Sequence, residues 1–324
     1  MATDPPGSRR VITILGATGS LGRATVVELA DRPVRLRLVG RGPHPAYPTG
    51  QARIETVSVD LTDPSRVAEV VGDADAVLCF TKHSGGWRDA DSVEAEQVNV
   101  GVVRSLVAAV RDGEKVPVVV YAGSSSQSGP PARTPLDGTE PDQPASAFDR
   151  QKLAAERLLL DAGRSGLLRG VSLRLPMVYG GPADKGVVAA MARRAVTGGE
   201  LTMWNDGRVR RDLLHVRDAA AAFVAALDHA DALAGRHWLV GSGTGVSLAD
   251  LFAAIAEAVA RCTGDAPVPV VSVPAPVNAT AGDLRDLVLD ARPFRSATGW
   301  EARIPLAEGV PTTVAALIDT VAVS

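Results

Sequence analysis

Seven residues near the start, Gly16-Ala17-Thr18-Gly19-Ser20-Leu21-Gly22, constrain this chain more than any other stretch. An apolar, β-branched run at 11–15 leads into them and a helical pattern at 21–30 leads out. Glycines in such a turn permit a tight reversal, close approach of a pyrophosphate to the backbone, and close packing of helix on strand. The helix then aims its free N–H groups and the positive end of its dipole at the phosphates. A glycine triplet alone carries little weight; one that joins a strand to a helix within a βαβ unit predicts a bound dinucleotide. Gly16, Thr18, Gly19, Ser20, Leu21 and Gly22 are then its first contacts.

The alternation continues. Strand patterns at 11–15, 35–39, 54–58, 76–80, 116–121 and 171–175 are separated by helical patterns at 21–30, 64–71, 92–111 and 146–162. Such an order implies an α/β fold, a Rossmann-type doubly wound parallel sheet with helices on both faces. The Gly/Pro/Thr/Asp-rich segment 128–144 is a surface loop. After Pro176 the regularity breaks into a helix at 187–197, short strands at 201–204 and 212–215, and helices at 219–228, 248–262, 291–298 and 305–321. The expected organisation is a dinucleotide-binding domain from 1–175 and 212–245, interleaved with a smaller C-terminal substrate domain from 176–211 and 246–324.

Composition narrows the class. At 324 residues and 46% hydrophobic the chain can bury a large core, and a formal charge of −3 gives no basic field for nucleic acid. The two cysteines, Cys79 and Cys262, stand in no metal-binding spacing and read as free thiols of a reducing cytoplasm, with no metal site. The longest apolar run, 219–227, is far below the ~20 residues needed to cross a bilayer. The tail at 1–10 lacks the apolar stretch of a signal peptide. A soluble, cytoplasmic protein is expected, with no membrane and no nucleic-acid partner.

Cofactor choice turns on the end of the second strand. A carboxylate about 20 residues beyond the glycines would accept hydrogen bonds from a ribose 2′-hydroxyl. This chain has Gly40-Arg41 there and no carboxylate until Glu55. A guanidinium suits a 2′-phosphate through paired charge-assisted bonds and can stack on adenine. Arg41 therefore predicts NADP(H), against the plainer account of a solvated surface arginine. Asp60 and Leu61 beyond the third strand, and Phe80, Thr81 and Lys82 at the end of the fourth, extend the expected cofactor contacts.

Later stretches carry a resemblance. Gly123-Ser124-Ser125-Ser126 follows the fifth strand and Lys152 lies in the next helix. Arg174-Leu175-Pro176-Met177-Val178-Tyr179-Gly180 and Arg211-Asp212-Leu213-Leu214-His215-Val216 come after. With the glycine turn they resemble the extended short-chain dehydrogenase/reductases of the NAD-dependent epimerase/dehydratase family, over nearly the whole chain. Around Lys185-Gly186-Val187, Leu201-Thr202-Met203-Trp204 and Arg210-Arg211-Asp212 the likeness sharpens. There it resembles the nucleotide-sugar 4-ketoreductases of actinobacterial antibiotic deoxysugar pathways. The resemblance implies NADPH-dependent reduction at C4 of a dTDP-4-keto-6-deoxyhexose. It implies that Lys152 bonds the nicotinamide ribose, Ser126 assists the carbonyl, Asn99 braces the site, and Pro176 and Val178 line the cofactor. Arg211 is expected on the sugar-nucleotide pyrophosphate, Arg285 as a second phosphate contact, and Met203 and Trp204 around thymine, with His83, Lys185 and Val187 nearby. A homodimer through the helices at 92–111 and 146–162 is also implied. Plainer accounts compete: Ser-rich turn chemistry, an Arg211–Asp212 ion pair, an apolar strand packed in the smaller domain.

One departure outweighs the matches. The family motif is Tyr-x-x-x-Lys, and this chain reads Phe148-Asp149-Arg150-Gln151-Lys152. Phe148 and Lys152 lie one turn apart on a shared helix face, but phenylalanine has no proton for a developing alkoxide. General acid help is typically worth ~10²–10⁴-fold, so reduction can survive its loss. Ser124, two residues before Ser126 on the same side of an extended backbone, is a second hydroxyl for the C4 oxygen. Lys82 and His83 are alternative proton sources, since histidine titrates in the useful range. A 4,6-dehydratase would need an acid/base carboxylate pair where Ser125 and Ser126 stand. A 4-epimerase keeps its NAD and uses the tyrosine as base, so Phe148 and Arg41 argue against it. Two alternatives to the reductase stay open: that sugar-nucleotide epimerase, and an NADP(H)-binding sensor that catalyses nothing.

Overall fold

The computed structural model describes residues 9–276, 279 and 282–322, so most of the expected tail at 1–10 lies outside the described residues. In chain order come β1 (Val11–Leu15), α1 (Ser20–Leu29), β2 (Arg35–Gly40), β3 (Arg53–Ser58), α2 (Pro64–Val71) and β4 (Ala76–Cys79). Next are α3 (Val93–Glu96), a π-helical turn (Gln97–Gly101), α4 (Val102–Arg111), β5 (Val118–Ser124), a 3-10 turn (Ser125–Ser128), α5 (Ala147–Arg164) and β6 (Arg169–Leu175). Then follow β7 (Met177–Tyr179), α6 (Val187–Val196), β8 (Leu201–Trp204), β9 (Arg210–His215), α7 (Val216–Asp228) and α8 (Ala230–Leu233). The chain closes with β10 (His237–Leu239), β11 (Gly245–Ser247), α9 (Leu248–Thr263), β12 (Val270–Val273), α10 (Arg292–Thr298) and α11 (Leu306–Ala322).

Seven strands form one sheet in the order β10-β6-β5-β4-β1-β2-β3. The pairs β2–β3, β1–β2, β1–β4 and β4–β5 are all parallel. This is the doubly wound order with one strand added beyond the sixth. Its central strands are apolar on both sides, as a sheet covered by helices requires: all four residues of β4 are buried. At the edge, β3 exposes Arg53, Thr56 and Ser58, which keeps that edge polar. Local signals agree with the helices. Asp63 caps α2 by accepting from the Ser65 N–H, with Pro64 in the first turn. Gly264, in the left-handed region, ends α9.

Contacts divide the chain into two compact units, 1–123 with 146–173 and 223–237, and 124–145 with 174–222 and 238–324. The division expected from sequence puts 124–145, 174–175, 212–222 and 238–245 with the first; the contacts group all of these with the second. The first core gathers Leu15, Val77, Leu106, Val119 and Leu159. The second gathers Val188, Leu201, Leu251, Ile255 and Val314, beside a three-stranded sheet β11-β9-β7 and the pair β12-β8.

Two expectations need correction. The helix expected over 92–111 is interrupted by the π-helical turn, which carries the buried Asn99. The strand expected over 116–121 begins at Val118 and runs to Ser124. Pro117 has no N–H for a ladder, and Val116 before it is exposed. Strands β7, β10, β11 and β12 are too short to show a period and are absent from the sequence reading.

Two buried charges organise the second unit. Arg174, 1% exposed, donates to Asp142 Oδ1 at 2.6 Å and to Ser128 Oγ at 3.4 Å, tying the 124–145 segment to its strand. Asp212, equally buried, accepts from the N–H groups of Ser242, Gly243 and Leu289 and from the Ser242 hydroxyl. Burial pushes its carboxyl up, and these donors pull it back. Arg174→Met should destabilise the protein by about 3 kcal/mol, because it breaks an ion pair whose guanidinium is buried. Adding Asp142→Asn should recover part of that loss. A double-mutant cycle from urea midpoints reads the coupling, and strictly additive losses would refute it.

Candidate active site

β1 delivers the chain into the glycine turn with Gly16 at φ +87°, a region that costs glycine little. The Gly16 and Ala17 N–H groups donate to Val39 O at 2.9 and 3.0 Å, fastening the turn to β2. A Cβ on Gly22 would lie 2.4 Å from Gly16 O, so α1 can start here only with a bare α-carbon. Helix α1 has no side-chain cap and no acid in its first turn. Its first N–H groups and its positive end are left for an anion, and a dinucleotide pyrophosphate fits. A Cβ on Gly40 would stand 2.8 Å from Thr18 Cγ2, so Thr18 packs on the end of β2. Arg41 is exposed just beyond. The Thr62 N–H, 3.0 Å from Asp60 Oδ1, holds that exposed carboxyl low, and the Arg41 charge adds to the effect. Leu61 spends its side chain on the core.

At the end of β4 the Phe80 backbone closes on the turn: a Cβ on Gly16 would lie 3.2 Å from Phe80 C and O. Thr81 is buried, its Oγ1 3.4 Å from Cys79 Sγ, while Lys82 is exposed. His83 Nδ1 lies 3.5 Å from Asp89 Oδ2, and the His83 N–H donates to Asn99 Oδ1 at 2.9 Å. Asn99 Nδ2 donates to Gln151 Oε1 at 2.8 Å, and Gln151 Nε2 to Ala90 O at 2.7 Å. Asn99 thus ties the loop after β4 to α5, and the extra residue of the π-helical turn turns its amide to both.

Helix α5 opens on a reciprocal cap, Ser146 and Asp149 each accepting from the other's N–H at 3.1 Å. Phe148 and Lys152 share a face. Lys152 Nζ stands 6.0 Å from the Phe148 ring centroid and 4.8 Å from that of Tyr121, and donates to Ala122 O at 2.9 Å. Burial pulls the ammonium down to about 8; the Cys79 thiol opposes this and the Lys82 charge adds to it. Tyr121 is buried, and its hydroxyl has no partner among the described residues.

In the second unit, the Ser124 and Ser126 hydroxyls lie 2.7 Å apart. The cause is not an extended backbone: Ser124 caps the 3-10 turn, which curls Ser126 back beside it. Gln127 Oε1 accepts from the Ser124 N–H at 2.7 Å, and its Nε2 is buried without a partner among the described residues. Pro176 and Val178 are half-buried, the latter paired with Leu214. Lys185 is exposed beside Asp184, which accepts from the Gly180 and Gly186 N–H groups. Val187 and Met203 pack on the core, and Trp204 is half-buried in β8. Arg211 donates to the carbonyls of Gly282, Asp283 and Arg285 rather than to Asp212. Arg285 is exposed, its Nη1 3.4 Å from Pro131 O. Sequence reasoning missed Tyr121, Gln127 and Gln151; strand alternation in β5 could have found the first. Among the described residues no helix is long and apolar enough to cross a membrane, and no three His, Cys, Asp or Glu side chains could hold a metal ion together.

A doubly wound sheet, a glycine turn onto an uncapped helix and a buried lysine behind the fifth strand define an extended short-chain dehydrogenase/reductase. The model of the NAD dependent epimerase/dehydratase family matches residues 12–241, and the chain belongs to that family. It is 33% identical over 220 residues to a UDP-glucose 4-epimerase of Mycolicibacterium smegmatis, a stretch spanning 66% of either chain. Over 317 residues, 95% of this chain and 96% of the other, it is 26% identical to dTDP-6-deoxy-L-talose 4-dehydrogenase (NAD(P)(+)) of Kitasatospora kifunensis. MoeE5 in complex with UDP-glucose and NAD has a similar structure, with a TM-score of 0.82 at 25% identity, over 96% of this chain and 99% of that one.

The lysine yields a test with a definite sign. Its folded pKa, about 8, lies below an unfolded value of about 10.4. Between the two the unfolded chain binds more protons, so stability rises with pH. Against Lys152→Met, the parent protein should gain about 2 kcal/mol from pH 7 to about pH 9.5, read from urea midpoints. A difference that stays flat would show an amine that is not desolvated.

Proposed function

We propose that the protein is a cytoplasmic NADPH-dependent reductase of the C4 ketone of a dTDP-4-keto-6-deoxysugar in antibiotic-type deoxysugar biosynthesis. The observation that carries this reading is Phe148 one turn before a buried Lys152, with two serine hydroxyls 2.7 Å apart and no phenol in the motif. Reduction is the family chemistry that best tolerates the exchange, because a ketone needs only polarisation and a proton. NADPH, when bound, supplies the hydride. The chain's tasks are then to hold the pyrophosphate on α1, the ribose through Lys152, and the carbonyl oxygen through Ser126 with Ser124 behind it. Arg41 supports the phosphorylated cofactor, and the relative that acts at C4 of a dTDP-6-deoxysugar with NAD(P)+ matches nearly end to end. We further propose a homodimer through 92–111 and 146–162, where Ala108 and Ala154 are exposed among charged residues. Light scattering at micromolar concentration should give twice the chain mass.

An epimerase is the second reading, favoured by the identity to a UDP-glucose 4-epimerase. Incubation with NADPH and a dTDP-4-keto-6-deoxysugar should consume NADPH, whereas UDP-glucose should not be converted to UDP-galactose. The opposite result selects the epimerase, and inertness in both selects the sensor. Ser126→Ala should lower kcat by ~10²–10³. Phe148→Tyr should change it by less than about tenfold, since Phe148 is half-buried and partial desolvation of the new hydroxyl costs at most ~1–3 kcal/mol. Full activity in both Ser126→Ala and Ser124→Ala would remove the serines from the chemistry.

A further inference from the structure

β4 and β1 are neighbours in the sheet, and the chain winds away from them in opposite directions. A crevice opens outside the carboxyl ends of such a pair, where α/β sheets take ligands. His83 follows β4 at that end. Its main chain is held: the N–H donates to Asn99 Oδ1 at 2.9 Å, and Asn99 Nδ2 donates at 2.8 Å to Gln151, the residue before Lys152. Its ring is held too. Nδ1 accepts from the Gly85 N–H at 3.3 Å and lies 3.5 Å from Asp89 Oδ2, in a 3-10 turn (Gly86–Asp89). Glycine at 85 permits that approach, since a Cβ there would stand 2.5 Å from Asp89 Cβ. The His83 side chain is 14% exposed, and its Nε2 has no hydrogen-bond or ion-pair partner among the described residues.

We propose that His83 supplies the proton that Phe148 cannot, passing it from Nε2 to the ligand oxygen as the ketone is reduced. The proposal rests on the reductase reading above, which leaves the proton without a source. A serine hydroxyl polarises a carbonyl but keeps its proton in the neutral range, where histidine titrates. A histidine that donates from one ring nitrogen needs the other oriented in both protonation states. Nδ1 has a partner for each: the Gly85 N–H when it is bare, the Asp89 carboxylate when it carries a proton. In the step, the carbonyl carbon takes the cofactor's hydride and is reduced, the Nε2–H bond breaks and an O–H bond forms. The product is an alcohol, the ring is left neutral, and solvent water returns the proton. Two charges flank the ring: Asp89 favours the imidazolium, and Lys82, the preceding residue, opposes it.

The test joins ring titration to kinetics in the full chain. NMR of the histidine rings gives the His83 midpoint in the free protein. NADPH oxidation with a dTDP-4-keto-6-deoxyhexose gives kcat/KM across pH. Above the midpoint the imidazolium is lost, and kcat/KM should fall about tenfold per pH unit. Lys152 titrates nearby, at about 8, and Asp89→Asn separates the two: it should lower the His83 midpoint and carry the kinetic limb with it. His83→Gln should lower kcat by ~10²–10⁴ with KM changed less than about threefold. It should also lose the limb, and added imidazole should restore part of the rate. A limb that stays when the midpoint moves, a midpoint that Asp89→Asn leaves unmoved, or full kcat in His83→Gln overturns the proposal and leaves the reductase reading standing. A parent protein that reduces no ketone overturns that reading and the proposal with it. If His83→Gln does not fold, the Asp89→Asn comparison decides.

Discussion

The fold depends on an approach too close for any side chain, between the Gly16 carbonyl and the α-carbon of Gly22. That approach starts α1 at the end of β1 and settles where the turn's polar groups go. Gly16 O accepts from the Gly19 N–H, Gly19 O from the Arg23 N–H, Thr18 O from Arg23 Nε and Ala17 O from Tyr47. Four successive carbonyls of the turn are thus occupied from within the protein, while the start of α1 has neither a cap nor an acid. The start of α1 presents its free N–H groups and the positive end of its dipole, and a bound anion would complete groups that are otherwise left to water.

Away from the turn, positions are held by buried polar groups whose partners are far away in sequence. Asn99 joins the N–H of His83 to Gln151, and Arg174 joins Asp142. Burying such groups is costly unless every partner is present, so each works as a registration pin: a shifted loop would leave a charge or amide stranded. The cost falls on stability, and the return is a fixed position for the segments that carry His83, Ser126 and Lys152.

This explains what was legible in the sequence. The glycine turn, the strand–helix alternation and the Phe148/Lys152 spacing are local patterns, and local patterns survive in sequence because a period of two or of 3.6 residues generates them. The π-helical turn at Asn99 was invisible, since 92–111 reads as an unbroken helical pattern and the partner of the Asn99 amide, Gln151, lies on another helix. The serine hydroxyls were expected side by side, but on an extended backbone; the turn that joins them is set by Gln127 and Ser124 acting as a capping pair. Arg211 looked outward to a phosphate or to Asp212, whereas its donors go to carbonyls more than seventy residues on. No spacing rule reports that.

Lys152 brings these strands together. Its amine makes one hydrogen bond to the protein among the described residues, to Ala122 O, and has two further donors. The Tyr121 ring face offers some compensation, but a methionine would fill the same space without a desolvated charge. A tyrosine at position 148 could share that charge through its hydroxyl, and Phe148 cannot. The chain therefore holds an ammonium at a cost to its own stability, with donors that nothing in the first unit uses. Such an arrangement is unfavourable as packing and sensible as a binding site, because a ligand's hydroxyls restore the hydrogen bonds that burial removed. By this reasoning the exchange of tyrosine for phenylalanine leaves Lys152 with donors that no side chain of its own motif can take up.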